Sequence, residues 1–534
     1  MPKVLVSDPL AEVGVAKLRA TPGVEVDVKH GLKPEELLAI IGEYDALAVR
    51  SETKVTAAIL AAADRLKIIG RAGVGVDNID VEAATKKGVL VVNSPDGNTL
   101  AAAELTVGML LAAARQIPQA DASMKAGKWE RKKFVGTEIF GKTVGVLGLG
   151  RIGSAVAERL KGFGVELIAY NPFVPEEMTR RMGVEPVSLD DLLRRSDFIT
   201  IHTPLSDETR NLLSTPQFAL MKDGVRIVNC ARGGIVDEAA LAQAVRSGKV
   251  GGIAFDVYTQ EPPDPANPLL DLPPNNILTP HLGASTEEAQ TKVAVDVCEQ
   301  IADVLQNRPA RTAVNLPSIS GADMARIAPF QALATQIGSL QMQLAMAAGE
   351  AGRRINAVEV IFSGDFAGLP TAPITRAVLK GLMAPLTTNT VNIVNAPSLA
   401  EARGIRVVES HSPATADHTC LLTVRAHLPG SDRTICGTVY DSEPHIVHID
   451  GYHVDIVPFG HMIVTQHSDQ PGIIGNVGML LGSNHINIAG MHVGRETSGG
   501  RAIMVIMVDE AIPAELLHLI RSFPGMEEAQ LVTL

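Results

Sequence analysis

The chain has 534 residues, and at about 100 to 200 residues per domain this length predicts three or four domains rather than one core. Hydrophobic residues make up 46% and charged residues 20%, a composition that excludes a disordered chain. The net charge of -12 disfavours nucleic acid as the main partner, because it repels a phosphate backbone.

The apolar stretches, such as residues 107–114, are shorter than the roughly 20 residues that cross a bilayer, and no signal-peptide pattern opens the chain. The four cysteines are widely spaced with no CxxC, which argues against a disulfide framework and against a zinc site. We therefore expect a protein of the reducing cytoplasm with no membrane partner and no metal.

Short apolar runs alternate with helix-like stretches over the first half of the chain. A first series predicts buried strands at 4–6, 46–49, 66–69 and 89–92, and a second at 144–147, 167–170, 198–201, 226–229, 253–257 and 277–279. This α/β rhythm predicts two doubly wound parallel-sheet domains. Between the two series, residues 98–116 form an apolar helix that is buried either in a dimer interface or in the core of the chain itself.

The second half of the chain has a different rhythm. Residues 261–274 are rich in proline and predict a loop, a helix follows over 285–306, and residues 311–321 have the composition of a linker. A helix over 330–347 and strands over 420–458, with turns at Pro429-Gly430 and Asp450-Gly451, predict an α+β domain without a readable chemical motif. From residue 461 the order βαββαβ predicts a ferredoxin-like domain.

A glycine-rich turn carries the first chemical signal. Gly148, Gly150 and Gly153 have GxGxxG spacing directly after an apolar strand and directly before a helix, the pattern that binds the pyrophosphate of a dinucleotide. The alternative is a strand-to-helix turn with no ligand. An acidic residue that binds the ribose is expected about 20 residues on. Asn171 stands there instead, so the preference for NAD over NADP is less secure.

Polar residues stand at the predicted strand ends, where ligands bind in open α/β sheets. An arginine, Arg232, can hold a carboxylate bidentately and polarise a carbonyl, and His281 can exchange a proton with an alkoxide. Glu261 would orient this imidazole and favour its protonated form. Each of these residues alone could have an ordinary structural role without taking part in catalysis. Their joint placement at strand ends predicts hydride transfer between a nicotinamide and a 2-hydroxy acid.

Several stretches resemble the D-2-hydroxyacid dehydrogenases: 71–80 (RAGVGVDNID), 148–153 (GLGRIG), 229–238 (NCARGGIVDE), 255–263 (FDVYTQEPP) and 279–286 (TPHLGAST). Three further stretches are similar to one branch of that family, in its long form with an intervening domain and a terminal ACT domain. They are 50–55 (RSETKV), 97–104 (GNTLAAAE) and 129–136 (WERKKFVG), and the chain length and the final βαββαβ unit agree with them. That branch oxidises D-3-phosphoglycerate to 3-phosphohydroxypyruvate with NAD, the first step of L-serine biosynthesis.

The resemblance implies site residues and a domain division. The catalytic set would be Arg232, Glu261 and His281. The cofactor site would comprise Gly148, Gly150, Arg151, Ile152, Gly153, Asn171, Thr203, Cys230, Ala231, Arg232, Asp256, His281, Gly283 and Ala284, and the substrate site Arg50, Ser51, Arg71, Asn98 and Arg131. The domains would be a split substrate-binding domain (1–97 with 285–314), a Rossmann-type NAD domain (98–284), an intervening domain (315–458) and an ACT domain (459–534).

Regulation and assembly follow from the same resemblance. ACT domains bind amino acids, and His467, Asp469 and Asn487 would flank a helix N-terminus that accepts L-serine; the alternative for Asp469 is a plain helix cap. We also expect a homodimer or homotetramer. Two functional alternatives remain: a dehydrogenase of an unphosphorylated D-2-hydroxy acid, and an NAD-sensing binding protein similar to transcriptional corepressors.

Overall fold

The computed structural model describes residues 1–534 except 173, 274, 318, 320, 347–353, 367 and 414–417. Pro274 and Ala347, which end two predicted ranges, and Ser318 and Ser320 in the predicted linker lie outside the described residues. The described residues form four β-sheets, and each sheet falls within one of the four predicted domain ranges. The division into domains stays our prediction.

The first sheet has five parallel strands in the order β2-β1-β3-β4-β5. They are β1 (Lys3–Val6), β2 (Glu25–Val28), β3 (Ala46–Val49), β4 (Ile68–Arg71) and β5 (Leu90–Asn93), connected by α1 (Glu12–Arg19), α2 (Pro34–Ile40), α3 (Ala57–Ala62) and α4 (Val81–Lys87). The sequence prediction lacks β2, because this edge strand has a half-exposed, polar sequence (EVDV).

The second sheet has seven parallel strands in the order β12-β11-β10-β9-β6-β7-β8, the doubly wound arrangement. They are β6 (Thr143–Leu147), β7 (Glu166–Tyr170), β8 (Glu185–Pro186), β9 (Phe198–Ile201), β10 (Val225–Asn229), β11 (Val250–Phe255) and β12 (Ile277–Leu278). The helices are α5 (Thr99–Arg115), α6 (Ile117–Lys125), α7 (Arg151–Lys161), α8 (Glu176–Arg181), α9 (Leu189–Arg195), α10 (Thr215–Leu220) and α11 (Glu238–Arg246).

The apolar helix α5 lies in the core of the second sheet. Ala103, Leu110 and Ala114 are fully buried in one cluster with Val144 and Val228 of the strands. The sequence left two alternatives for this helix, burial in a dimer interface or in the core of the chain. These contacts show that its buried face lies in the core of the chain. Within the described residues no single helix is long and apolar enough to span a membrane; α5 and α6 pass that test only together, and the chain bends by 66° between them.

After the second sheet, α12 (Glu287–Leu305) returns to the first one. Its residues Val297 and Ile301 are buried in the same cluster as Val4 of β1. The segment that follows bonds to the free edge of β5: the Val314 amide donates to the Val91 carbonyl at 2.7 Å, and the Asn315 side chain accepts from the Val91 amide at 2.9 Å. The linker therefore leaves this sheet only after residue 315.

The third sheet is mixed, in the order β14-β13-β15-β16-β17-β18 with one parallel pair, β13 and β14. Its strands are β13 (Ala357–Gly364), β14 (Arg406–Ser412), β15 (Cys420–Leu428), β16 (Ser431–Tyr440), β17 (Glu443–Ile449) and β18 (Tyr452–Ile456), with α13 (Gly321–Met346), α14 (Ala372–Met383) and α15 (Ala396–Ala402). Helix α13 begins nine residues before its predicted start and contains Pro329.

The last sheet is antiparallel with the order β20-β21-β19-β22, as in a ferredoxin-like unit. Its elements are β19 (His461–Ser468), α16 (Ile473–Ser483), β20 (Ile488–Arg495), β21 (Arg501–Val508), α17 (Ala514–Arg521) and β22 (Met526–Thr533). One face packs on α16 and α17, and the other joins the core of the third sheet through Met462, Val464, Ile503, Val505 and Val532.

Candidate active site

The glycine turn between β6 and α7 has the geometry of a dinucleotide site. Gly148 has φ +96°, a left-handed conformation that favours glycine, and its amide donates to the Tyr170 carbonyl at 3.0 Å. A Cβ on Gly153 would clash with the Gly148 carbonyl, so this glycine permits the close approach of strand and helix. A Cβ on Gly150 would meet open space, which is the side from which a pyrophosphate can approach the α7 amides.

Three polar atoms near these loops are buried and have no hydrogen-bond partner among the residues that the structure describes. They are Thr203 Oγ1 after β9, Asn98 Oδ1 at the start of α5, and Thr99 Oγ1 beside it. Buried polar groups are nearly always paired, so such atoms indicate a ligand that would complete them. The open face of Gly150 and these unpaired atoms together fit a bound nicotinamide dinucleotide.

A buried histidine, which sequence reasoning missed, supports the same turn. His202 follows β9, and its backbone carbonyl lies under the position that a Gly148 side chain would take. Its Nε2 is 2.8 Å from Thr200 Oγ1. The residue keeps a small exposed fraction, but its ring is enclosed, and burial lowers the pKa of His202 to about 3. The imidazole is therefore neutral at physiological pH.

The predicted acid-base pair is assembled. His281 Nδ1 lies 2.6 Å from Glu261 Oε2, and Glu261 Oε1 accepts from the Tyr258 amide at 3.1 Å. Burial would raise the pKa of Glu261, but the hydrogen bonds from His281 and the Tyr258 amide and the charges of His281 and Arg232 together outweigh burial, so the pKa of Glu261 lies below its ordinary value. With Nδ1 held by a carboxylate, Nε2 is the nitrogen left to meet a substrate.

A buried carboxylate holds the loop that carries His281. Asp256 is fully buried, and its two oxygens accept from Thr279 Oγ1 at 2.6 Å, from the Leu282 amide at 2.7 Å and from the Gly283 amide at 2.8 Å. The Asp256 carbonyl also accepts from the His281 amide at 2.9 Å. These bonds hold His281 in a left-handed conformation, φ +56°, which non-glycine residues seldom adopt.

Two arginines meet at the cleft between the first and second sheets. Arg71 ends β4 and Arg232 follows β10. A Cβ on Gly73 would overlap the Arg71 guanidinium, and one on Gly75 would overlap that of Arg232, so the two glycines of the RAGVGVD stretch make room for both. Burial, and next the charge of Arg232, lower the pKa of Arg71 to about 10, which leaves Arg71 cationic at neutral pH.

The loop after β3 carries Arg50 and Ser51 and is fixed by a buried carboxylate that sequence reasoning missed. Asp8 accepts from the backbone amides of Arg50 at 2.6 Å, Glu52 at 3.2 Å and Thr53 at 3.0 Å. The charge of Arg50 lowers the pKa of Arg71, and the charge of Asp8 raises it. The structure thus brings Arg50, Arg71 and Arg232 into one electrostatically coupled group.

Arg131 is not brought into this group by any contact among the described residues. It lies in the exposed 3-10 turn Arg131–Lys133, which with Trp129 and Glu130 lines an open cavity of about 450 Å³. The residues that line this cavity, 129–133, include none of the other predicted substrate residues.

Other predicted cofactor residues are placed as follows. Arg151 is the first residue of α7, and its side chain pairs with Asp96 at 2.7 Å. Cys230 packs on Met109 of α5 with Sγ to Sδ at 3.5 Å, and burial raises the pKa of Cys230 to about 12, so it is an inert core thiol.

The remaining predicted cofactor residues lie in loops or at a helix start. Asn171 follows β7, and Ile152 lies in the first turn of α7. Ala231 and Ala284 are partly buried, in the loops after β10 and before α12.

The predicted effector residues do not share one helix end, which corrects the expectation that they flank a helix N-terminus. Asp469 follows β19 near the start of α16, and its carboxylate accepts from the Gly499 amide at 3.1 Å and from Arg495 Nη1 at 3.3 Å. Asn487 lies at the other end of the sheet, bonded to Asp509 at 2.7 Å, about 23 Å away along the strands. His467 is buried, and burial lowers its pKa.

Three parts of the chain match known family profiles. Residues 107–283 match the profile described as D-isomer specific 2-hydroxyacid dehydrogenase, NAD binding domain. Residues 326–450 match the D-3-phosphoglycerate dehydrogenase intervening domain, and residues 461–525 match the ACT domain.

Full-length relatives and solved structures agree with these matches. The chain is 47% identical to D-3-phosphoglycerate dehydrogenase of Archaeoglobus fulgidus and 45% identical to that of Methanocaldococcus jannaschii, with 100% of each chain covered in both cases. Among structures, a glyoxylate reductase from Paecilomyes thermophila is 32% identical, covering 59% of this chain and 98% of that one (TM-score 0.54). D-lactate dehydrogenase from Aquifex aeolicus, complexed with NAD and lactic acid, is 27% identical over 59% of this chain and 100% of its own (TM-score 0.54).

The doubly wound sheet, its glycine turn and the polar strand ends define the class, an NAD-dependent oxidoreductase of the D-2-hydroxyacid dehydrogenase type. The intervening and ACT domains and the full-length relatives then narrow the class. The chain belongs to the D-3-phosphoglycerate dehydrogenase family.

Proposed function

We propose that this protein oxidises D-3-phosphoglycerate at C2 to 3-phosphohydroxypyruvate with NAD, the first step of L-serine biosynthesis. The observation that carries the proposal is the 2.6 Å contact of His281 with Glu261 at the edge of a cleft that also holds Arg50, Arg71 and Arg232. An acid-base pair beside clustered cations suits a substrate with a hydroxyl to deprotonate and two anionic groups to bind.

In the proposed reaction the Arg232 guanidinium binds the carboxylate and holds C2 in place. The neutral imidazole of His281 takes the hydroxyl proton at Nε2, while Glu261 stabilises the imidazolium that forms. The turn that contains Gly148, Gly150 and Gly153 would hold NAD, which would supply the hydride acceptor for C2. In the reverse direction His281 returns the proton to the developing alkoxide and Arg232 polarises the keto group.

The phosphate is assigned to Arg50, Arg71 and Arg131. Arg71 stays cationic because its lowered pKa of about 10 is still well above neutral pH. Arg131 lies outside this group within one chain, so its proposed role requires either a movement of its turn or a neighbouring copy of the chain.

An unphosphorylated 2-hydroxy acid is the rival substrate. The structural relatives named as glyoxylate reductase and D-lactate dehydrogenase cover only 59% of this chain, whereas the D-3-phosphoglycerate dehydrogenases of Archaeoglobus fulgidus and Methanocaldococcus jannaschii cover all of it. The binding-protein alternative is disfavoured by the assembled His281 and Glu261 pair, which cofactor sensing alone does not need.

A coupled assay of NADH formation tests this function with D-3-phosphoglycerate and D-glycerate as paired substrates. We expect kcat/KM to favour the phosphorylated acid strongly. His281→Asn should lower turnover by roughly two to four orders of magnitude and keep NADH binding, since general acid-base catalysis contributes about that factor. His485→Asn, an exposed histidine of the last domain, is the control. Equal use of both acids, or normal turnover by His281→Asn, would contradict the proposal.

Assembly is proposed from the exposed apolar side chains of residues 100–140. They are Leu100, Ile117, Met124, Trp129, Val135 and Phe140. Exposed apolar side chains that lie together mark an interaction site. We assign this one to a homodimer or homotetramer, and we place the protein in the cytoplasm, where its four free cysteines stay reduced.

Regulation by L-serine is proposed at the ACT domain. Because Asp469 and Asn487 lie at opposite ends of one sheet, a ligand as small as serine cannot touch both within one chain. We therefore propose that two copies of the chain build the serine site, with Asp469 from one and Asn487 from the other. In each site the helix α16 N-terminus would bind the carboxylate and Asp469 the ammonium group.

A further inference from the structure

One carboxylate reaches across the cleft to the substrate-binding arginine. Asp77 lies in the loop after β4 of the first sheet, and Arg232 follows β10 of the second. Asp77 Oδ2 accepts from Arg232 Nε at 3.1 Å. The Arg232 side chain is 29% exposed and that of Asp77 69%, so the pair lies at the mouth of the cleft.

The contact fixes the plane of the guanidinium. Besides the Nε bond to Asp77, Arg232 Nη1 donates to the Ala231 carbonyl at 2.7 Å. The guanidinium also lies in the space that a side chain at Gly75 would fill. Because Nε and one Nη1 donor are used by the protein, the remaining donors are left for a bidentate substrate carboxylate.

The loop that carries Asp77 is rigidly held. The neighbouring Asn78 donates from Nδ2 to the Arg50 carbonyl at 3.2 Å and to the Thr53 carbonyl at 2.7 Å. The Val55 amide in turn donates to the Asn78 carbonyl at 2.8 Å. Asp77 is therefore a fixed point on the first sheet's side of the cleft, against which Arg232 on the other side can be oriented.

Asp77 also balances charge in the cleft. Burial, and next the charge of Arg232, lower the pKa of Arg71, while the charge of Asp77 acts in the opposite direction, as does that of Asp8. An ion pair as exposed as that of Asp77 with Arg232 adds little to the stability of the fold. Its geometry matters more for the orientation of the arginine than for folding.

We propose that Asp77 is a positioning residue, which orients Arg232 across the cleft for the carboxylate of the substrate. The proposal rests on the proposed function, because it takes Arg232 as the carboxylate-binding group. Asp77 itself does not touch the reacting atoms. Its loss should lower the rate of the bound complex more than the affinity for substrate, since removing a negative charge beside the site favours the binding of an anion.

The test compares Asp77→Asn and Asp77→Glu with wild type in the full chain, using 3-phosphohydroxypyruvate and NADH. Asp77→Asn should lower kcat about tenfold, with KM unchanged or lower and the thermal midpoint unchanged. Asp77→Glu should recover part of the loss, because the carboxylate returns. Asp80→Asn is the matched control: this aspartate of the same loop caps α4 through the Ala83 amide at 2.9 Å, and asparagine caps equally well.

A double-mutant cycle separates positioning from other roles. If Asp77 acts through Arg232, then Asp77→Asn should cost less than twofold in an Arg232→Lys background, because lysine has no Nε donor. A full tenfold loss in that background, or a kcat for Asp77→Asn within twofold of wild type, overturns the proposal. A wild-type chain that turns over neither phosphorylated nor unphosphorylated substrate would instead contradict the proposed function.

Discussion

At the scale of single residues, His202 shows how burial supports the cofactor turn. The backbone and Cβ of His202 lie against Gly148 and Gly153, and a protonated imidazole would have no anionic partner among the groups that affect its pKa. The native state keeps His202 neutral down to about pH 3, whereas an unfolded chain protonates it below about 6.5. Between these values the unfolded state binds more protons, so stability must fall as pH falls.

This imbalance gives a prediction for His202→Gln, which keeps a polar side chain but cannot be protonated. Between about pH 7.5 and about pH 5, protonation of His202 in the unfolded state should lower the unfolding free energy of the wild type by at most about 2 kcal/mol. The variant should not show this loss, because glutamine does not bind the proton. Thermal midpoints measured between about pH 7.5 and pH 5 should therefore fall less steeply in the variant. His485→Gln should keep the wild-type slope. An identical slope in all three proteins would show that the ring of His202 titrates freely.

The site residues that sequence could predict share a place at predicted strand ends. His281, Glu261 and Arg232 belong to that set, and the structure gives the first two a direct contact and places the third at the same cleft. Asp77 carries no such signal, and Asp8, although it follows the first predicted strand, has the SDP context of a cap or a turn former. Their partners are distant in sequence, and only the folded chain brings them together.

At the scale of elements, the strand, turn and helix of β6 and α7 work as one unit. The three glycines have different surroundings: Gly148 has a positive φ, Gly153 faces the backbone, and Gly150 faces open space at an ordinary φ of -75°. The sequence predicted this unit from the GxGxxG spacing together with the apolar strand before it and the helix after it. Because their surroundings differ, substitutions at these glycines should affect stability and cofactor binding differently.

We predict opposite outcomes for two alanine substitutions in this turn. Gly150→Ala should leave the thermal midpoint unchanged, because the methyl meets no protein atom within 4 Å, but should weaken NADH binding at least tenfold by blocking the pyrophosphate. Gly153→Ala should lower both stability and binding, because its methyl clashes with the Gly148 carbonyl. Fluorescence titration with NADH and thermal melts distinguish the two. Normal NADH affinity in Gly150→Ala would place the cofactor elsewhere.

The sequence predicts a strand or helix well where its buried residues form a recognisable apolar pattern. The central strands of the first two sheets agree with their predicted ranges to within about three residues, since both faces are covered and the sequence is continuously apolar. The edge strands β2 and β8 were missed, because β2 is polar and β8 has only two residues, one of them proline.

At the scale of the whole molecule, the third and fourth sheets form one body. Met462, Val464, Ile503, Val505 and Val532 of the last sheet lie in the same core cluster as α13 and β13. The amide of Gln343 in α13 makes two hydrogen bonds with Thr533 on the edge strand β22, at 2.7 and 3.0 Å. The sequence showed two separate patterns here, and their joint core depends on side chains that local periodicity cannot pair.

This shared core predicts how the chain can be shortened. A chain ending at residue 317 keeps the bonds of residues 312–315 to β5, so it should remain folded and bind NADH. A chain ending at residue 458 uncovers the face against which five apolar side chains pack, each worth roughly 1.5 to 3 kcal/mol when buried, and should aggregate. Light scattering and thermal melts would compare the two. A soluble and equally stable 1–458 chain would show that the shared core is dispensable.

The proposed serine site leads to a prediction that only an assembly of two copies can satisfy. Asp469→Ala and Asn487→Ala should each abolish inhibition by L-serine and leave the substrate constants unchanged, because neither residue contacts the cleft. A mixed oligomer of the two variants should regain serine binding at half of its sites, since each interface then contains one Asp469 and one Asn487 facing each other. Calorimetry of serine binding to co-expressed and to separately purified variants measures this. No recovery in the mixed oligomer would place both residues outside a shared site, and no binding to the wild type at millimolar serine would remove the effector role of the domain.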